Sequence, residues 1–239
     1  MIEIIATTTE DAIAAEQGGA DRIELISNFE VGGLTPSLEI VRAVIDAVKI
    51  PVRVMLRESE DFQVRDNNER QRLCALADSL STLPIDGIVC GVIVGDVLDE
   101  ELLKQIIAAA PQTKITFHRA FEELSTPQNA IHQLKQFPTV DCILTSGGKG
   151  NQALKIENYR LCLAAASPEI MILAGGGMTD EMMDILQKQT GIQDFHFGTF
   201  VRAPKEFDGR VSEERVREIV QLNVRRTVSS PVLDENLSW

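Results

Sequence analysis

The sequence predicts an α/β fold, a single-domain TIM-type (β/α)8 barrel, on three observations. Short β-branched, apolar runs alternate with longer stretches of helical spacing along the whole chain. Eight such runs begin 20, 30, 35, 27, 28, 27 and 25 residues apart, the length that a strand, a crossover helix and a return to a parallel neighbour require. The chain has 239 residues, close to the length at which eight units close on themselves. An open doubly wound sheet is the alternative, but it usually has fewer strands and a glycine fingerprint after the first.

Taken in order, the predicted strands are Ile2–Ala6, Arg22–Ser27, Val52–Arg57, Gly87–Ile93, Lys114–Arg119, Cys142–Gly147, Glu169–Ala174 and Asp194–Thr199. The intervening helices carry their own signals. Ala12 to Ala15, and Ile40, Val41, Val44, Ile45 and Val48, repeat at helical spacing. Thr35-Pro36 and Thr126-Pro127 each set a capping residue before a proline suited to the first helical position. Acids follow Thr179 and Ser212, where a helix dipole favours them. Barrel residues 1–227 leave a polar, unpatterned stretch, Val228 to Trp239, expected to form a C-terminal arm.

Composition narrows the function. With 36 acids against 23 bases the formal charge is -13, which argues against a nucleic-acid partner and against anionic membrane. The start lacks the basic flank of a signal peptide, and the longest apolar runs fall far short of the roughly 18 residues that span a bilayer. Cys74, Cys90, Cys142 and Cys162 form no CxxC and no secreted framework. A cytoplasmic protein with reduced thiols is the expectation.

Barrel strands alternate between the central axis and the outer helices. The apolar positions of the first three strands then send Glu3, Glu24, Arg53 and Arg57 inward, and the same alternation turns Thr116, His118 and His196 inward. Barrel interiors are normally filled by Val, Ile and Leu, and unpaired charge there is costly. Two acids and two bases can balance as a structural network, and Glu3 and Arg53 lie near the strand starts where that suits. Arg57 and His118 lie at the carboxyl ends, where barrel enzymes keep their chemistry. The candidate catalytic set is therefore Glu24, Arg57, His118, Arg119 and His196, while His132 belongs on a helix surface. Glu24 or His118 suits general acid–base work, and Arg57 and Arg119 suit a carboxylate or phosphate.

Two glycine clusters follow the sixth and seventh strands: Thr145 to Gly150, and Gly175 to Gly177. The first fails as a P-loop, because Ile143 stands where a glycine belongs and Gly150 where a hydroxyl belongs. The second fails as a dinucleotide fingerprint at Asp180. The looser reading is a small-anion site on backbone N–H groups of Ser146, Gly147, Gly175, Gly176 and Gly177, with charge from Arg202 and Lys205. The alternative is that the glycines merely allow tight turns. No HxH, HExxH or Cys/His cluster offers a metal site, and Lys149, the nearest lysine to a Schiff-base position, lies beyond its strand.

Gly19-Ala20-Asp21-Arg22-Ile23-Glu24-Leu25, Gly32-Gly33-Leu34-Thr35-Pro36-Ser37, Thr116-Phe117-His118-Arg119-Ala120-Phe121 and Leu144-Thr145-Ser146-Gly147-Gly148-Lys149 resemble, in order, the motifs of the CutC family. The resemblance covers nearly the whole chain. It implies a TIM-type barrel, a cytoplasmic location, a homo-oligomer, and a role in copper homeostasis with copper as the bound ion. Many relatives carry cysteines at the ends of the first two strands, where this chain has Ile5, Ala6 and Ile26. The family's Arg-Pro-Arg-Gly-Gly-Asp-Phe loop becomes Arg57-Glu58-Ser59-Glu60-Asp61-Phe62, and His-Arg-Ala-Phe-Asp becomes His118-Arg119-Ala120-Phe121-Glu122. Copper(I) prefers soft ligands brought together, so no tight copper(I) site is expected. The alternative is an enzyme acting on a small anionic substrate.

Overall fold

A computed structural model describes residues 1–229, with side chains described as far as Val224. Its strands are β1 (Ile2–Ala6), β2 (Arg22–Leu25), β3 (Val52–Met55), β4 (Gly87–Cys90), β5 (Lys114–Phe117), β6 (Val140–Thr145), β7 (Met171–Ala174) and β8 (Phe195–Phe197). They pair in parallel and in sequence order, and β1 beside β8 closes the barrel. Eight helices wrap it: α1 (Thr9–Gly18), α2 (Leu38–Ala47), α3 (Asn67–Ser81), α4 (Glu100–Ala109), α5 (Pro127–Leu134), α6 (Gln152–Ala166), α7 (Asp180–Thr190) and α8 (Glu213–Ser229). The expected closed barrel is the observed one. The expected arm lies outside the described residues, apart from Val228 and Ser229, which end α8.

Most differences are at strand ends. The fourth run stops at Cys90, and Ile93–Val94 instead pairs with Val97–Leu98 in a separate two-stranded hairpin. The sixth strand starts earlier, at Val140. Thr35-Pro36 does not start α2. Ser37 does, its hydroxyl accepting from the Ile40 N–H, while Thr35 Oγ1 accepts from the Arg57 N–H and donates to the Arg57 carbonyl. Thr8, Ser37, Asp66, Asp99, Asn151 and Thr179 all cap their helices through a side-chain oxygen, each worth about 1 kcal/mol. Thr126 precedes Pro127 as predicted but makes no side-chain cap bond.

The alternation holds. Outward residues such as Ile4, Leu25, Val54, Ile88 and Phe117 join the helices in one continuous apolar shell. The axis is divided. Ile5, Ile26, Met55 and Val89 cluster on one side, and Cys142, Leu144 and Leu173 on the other. Between them sit buried charges. At the amino-terminal end Arg53, 1% exposed, reaches across the axis to Asp141 (2.6 and 2.7 Å), Asp86 (2.9 Å) and Thr116 Oγ1 (2.7 Å). Gly87 makes room for it, since a Cβ there would fall 3.2 Å from Arg53 Nε and 2.6 Å from the Lys114 carbonyl oxygen. This bridge closes the floor of the barrel.

Candidate active site at the barrel mouth

The opposite, carboxyl-terminal end is open. A cavity of about 470 Å3 descends from it, lined on its polar side by Glu24, Arg57, His118, Arg119 and His196. The five candidate residues chosen from the sequence thus share one cavity. Phe29, Phe62 and Phe207 line it too, as do Met55 and Met178.

Glu24 and His196 are joined by residues below them. Register sets His196 beside Glu3, and Glu3 beside Arg22. Glu3 Oε1 lies 2.7 Å from His196 Nδ1, and its other oxygen takes a short bond from Arg22 Nε. His196 Nε2 stands 3.7 Å from Glu24 Oε2, while Glu24 Oε1 is buried with no partner. Burial alone would raise the Glu3 pKa, but the Arg22 charge and the His196 bond outweigh it and hold Glu3 well below the usual carboxylate range. For Glu24 burial, with the Glu3 charge adding to it, outweighs the pull of His196 and Arg22 and lifts its pKa well above that range. His196 loses to burial but gains more from Glu24 and Glu3, so its pKa is raised.

The expected ionic balance of Glu3 and Glu24 with Arg53 and Arg57 is not what forms. Arg53 holds the floor, and the partner of Glu3 is Arg22. Arg57 ties loops together, donating from Nη1 to the carbonyls of Gly33 (3.1 Å) and Val31 (3.3 Å) and from Nη2 to that of Glu60. Its guanidinium also lies 4.9 Å over the Phe62 ring, and its Nε is buried without a partner.

His118 is 3% exposed and packs on Gly91, where a Cβ would come within 2.3 Å of Nδ1. That Nδ1 accepts from the Ala120 N–H at 3.2 Å, so the ring proton sits on Nε2. Burial, with Arg57 and Arg119 adding to it, lowers the His118 pKa to about 3, so the ring is neutral. Arg119 is held in a two-point pair by Glu122 (3.1 and 3.0 Å).

The glycine loops divide. Gly176 and Gly177, both at positive φ, line the cavity. Ser146 faces Glu122 instead, donating to it from N–H (2.6 Å) and Oγ (3.0 Å). Gly147 N–H goes to Thr145 Oγ1 (3.0 Å), and Gly175 N–H to the Thr145 carbonyl (2.9 Å). An internal carboxylate therefore occupies the donors expected to bind an anion at Ser146. Arg202 does not serve the mouth either: it is buried, bound to Asp11 (2.9 Å) and to the Ile5 and Gly209 carbonyls.

Sequence reasoning missed Arg22, Glu122 and the three phenylalanines. Arg22 was within reach, because it sits two residues before Glu24 on one strand and so shares its face. For Glu122 and the rings no periodic signal exists; loops place them.

Glu3, Glu24 and His196 present ligand atoms within 4.8 Å of one another. Both Glu3 oxygens are already engaged, and Arg22 supplies the local cation. Two carboxylates and an imidazole are also a hard-to-borderline donor set, a poor match for copper(I). No cysteine lines the cavity. Cys90 and Cys142 are buried, and burial pushes their thiols up to about 12 and about 11.

Comparison with known proteins agrees with the motifs. The CutC family model matches residues 1–201. The human copper homeostasis protein cutC homolog is 31% identical over 197 residues, covering 82% of this chain and 72% of that protein. A family protein CutC from Mesorhizobium japonicum is 31% identical over 206 residues, 85% of this chain and 79% of its own. A CutC structure from Streptococcus agalactiae superposes with a TM-score of 0.76 at 26% identity, covering 83% of this chain and 97% of that one. A phosphoribosylanthranilate isomerase from Thermotoga maritima, at 12% identity and TM-score 0.59 over 94% of this chain and 98% of its own, shares the barrel alone. Motifs, family model and closed barrel agree: the chain belongs to the CutC family.

Proposed function

We propose that this protein serves copper homeostasis, and that it meets copper weakly at the barrel mouth rather than on paired thiolates. One observation carries the reading: the soft and borderline donors that share the cavity are the thioethers of Met55 and Met178 and the imidazoles of His196 and His118, the latter with its proton on Nε2, while the four cysteines lie elsewhere. Copper(I) accepts thioether and imidazole ligands. Glu3 on Nδ1 leaves His196 Nε2 toward the cavity, the usual orientation of a metal-binding histidine. The thioethers carry no charge and Arg57 and Arg119 stand nearby, so the contact is weak and exchangeable. The overall charge of -13 draws the cation in.

The reading carries with it a cytoplasmic location, which keeps the four thiols reduced, and the homo-oligomer implied by the family. Among the described residues no helix is long and apolar enough to cross a membrane. Competition against a copper(I) chelator tests the site. Replacing all four cysteines by alanine is expected to leave the weak copper binding of the mouth intact, and Met55→Leu with Met178→Leu to remove it. One tight equivalent per chain, lost with the cysteines, would overturn the proposal.

A further inference from the structure

Among the described residues, Glu24 Oε1 and Arg57 Nε are buried side-chain atoms without a hydrogen-bond partner, and both residues line the mouth. An unpaired buried polar atom is unfavourable, so this acceptor and this donor suit a ligand that can donate to one and accept from the other. His118 adds a second donor at Nε2, because its Nδ1 is taken by Ala120.

The lining gives the ligand's charge. Glu30 and Glu60 stand against Arg57 and Arg119. Arg57 spends its Nη groups on carbonyls, and Arg119 is paired with Glu122. No surplus positive charge remains for a carboxylate or phosphate. The site fits an uncharged molecule carrying hydroxyl and carbonyl oxygens, sized for about 470 Å3, with Phe29, Phe62 and Phe207 as its apolar walls.

His196 is held as an acid–base group is held. Glu3 fixes Nδ1 at 2.7 Å, Arg22 fixes Glu3, and Nε2 is left facing Glu24 at 3.7 Å. The charged groups around His196 are Glu3 from β1 and Arg22 and Glu24 from β2. Gly175, just after β7, packs beside the ring, where a Cβ would fall 3.1 Å from it. Glu24 Oε1 is buried without a partner and its Oε2 stands 3.7 Å from Nε2, so Glu24 is placed to donate a proton to a ligand while the oriented His196 accepts one.

We propose that the mouth is an acid–base site where His196 and Glu24 isomerise small uncharged α-hydroxycarbonyl compounds through their enediols. His196 Nε2 takes the proton from the carbon bearing the hydroxyl. The C–H electron pair becomes the carbon–carbon double bond, and the carbonyl oxygen takes the Glu24 proton. In the return step the imidazolium protonates the former carbonyl carbon while Glu24 recovers a proton from the other hydroxyl. Nothing is oxidised overall and no co-reactant is needed. Arg57 Nε and His118 Nε2 hold the two oxygens, and Glu3 is a positioning residue. The proposal rests on the mouth being the working site and not on copper; copper on Nε2 would block the chemistry.

The test is solvent exchange in D2O, with a metal chelator present, followed by proton NMR. The probes are glycolaldehyde, dihydroxyacetone, glyceraldehyde and the aldopentoses, each beside its phosphorylated analogue where one exists. At least one uncharged probe should lose its C–H signal roughly 100-fold faster than without protein, a typical gain from general acid–base catalysis. His196→Gln and Glu24→Gln should each abolish the gain in folded protein. Glu3→Gln should slow exchange and alter its pH profile while probe binding by calorimetry persists. No exchange with any uncharged probe, exchange that survives both glutamine variants, or exchange confined to phosphorylated probes would overturn the proposal. Copper competition reads the other reading separately.

Discussion

Arg22→Met removes the cation from beneath the mouth while keeping much of the side chain's bulk. Arg22 is 5% exposed and Glu3 fully buried, so the variant leaves Glu3 charged in a dry interior with only His196 beside it. Breaking a buried pair from one side costs about 3–5 kcal/mol. Because His196 can take up a proton and answer Glu3 in part, the lower end, about 3 kcal/mol, is expected. A chain of 239 residues unfolds with an entropy of about 0.5 kcal/mol/K, so that loss lowers Tm by about 6 °C. The pH dependence has a definite sign. In the parent protein Glu3 sits below its ordinary pKa of 4.5, so its contribution is present above that pH and fades as acid protonates it. In the variant Glu3 rises above 4.5, and acid then relieves the strain. Calorimetry across pH should show the widest gap between the two proteins at neutral pH and a narrowing gap below about pH 5. Glu3→Gln added to Arg22→Met should recover part of the loss, since the stranded charge is gone. A Tm drop under about 2 °C at pH 7, or a gap unchanged by acid, would refute the assignment of Arg22 as the counter-ion.

Two further outcomes follow from packing. Gly91→Ala would set a methyl 2.3 Å from His118 Nδ1 and 2.9 Å from Ala120 Cβ. It should cost about 1–3 kcal/mol in urea unfolding, and a neutral result would mean that His118 is not pinned there. Ellman's reagent at about pH 8 should find one fast thiol per folded chain, Cys74. Cys90, Cys142 and Cys162 are buried, with thiols pushed up to about 12, 11 and 11. Four fast thiols in folded protein would contradict the packing of β4, β6 and α6.

The barrel was readable because period-two and helical spacing recur with a steady interval, and neither depends on loops. The same alternation sent Glu3, Glu24, Arg53, Thr116 and His196 inward, where they meet one another, while Arg57 turns its guanidinium to loop carbonyls. It could not assign partners. Register pairs Glu3 with Arg22 and His196, and register is a property of neighbouring strands, not of one strand's pattern. The carboxylate on Ser146 comes from a short 3-10 turn, Arg119–Glu123, at the end of β5. A glycine-rich loop read alone looks vacant, because the side chain that fills it lies 24 positions away.

Among the described residues, the bridge from Arg53 to Asp86 and Asp141 fills the barrel axis at the end opposite the mouth. A molecule cannot enter at one end and leave at the other, so arrival and departure share one path and exchange is strictly sequential. Turnover or metal release is then governed by how readily the rim around Phe29, Phe62 and Phe207 parts. Changes to those rings should alter residence time while the Glu3–His196–Glu24 cluster below keeps its geometry.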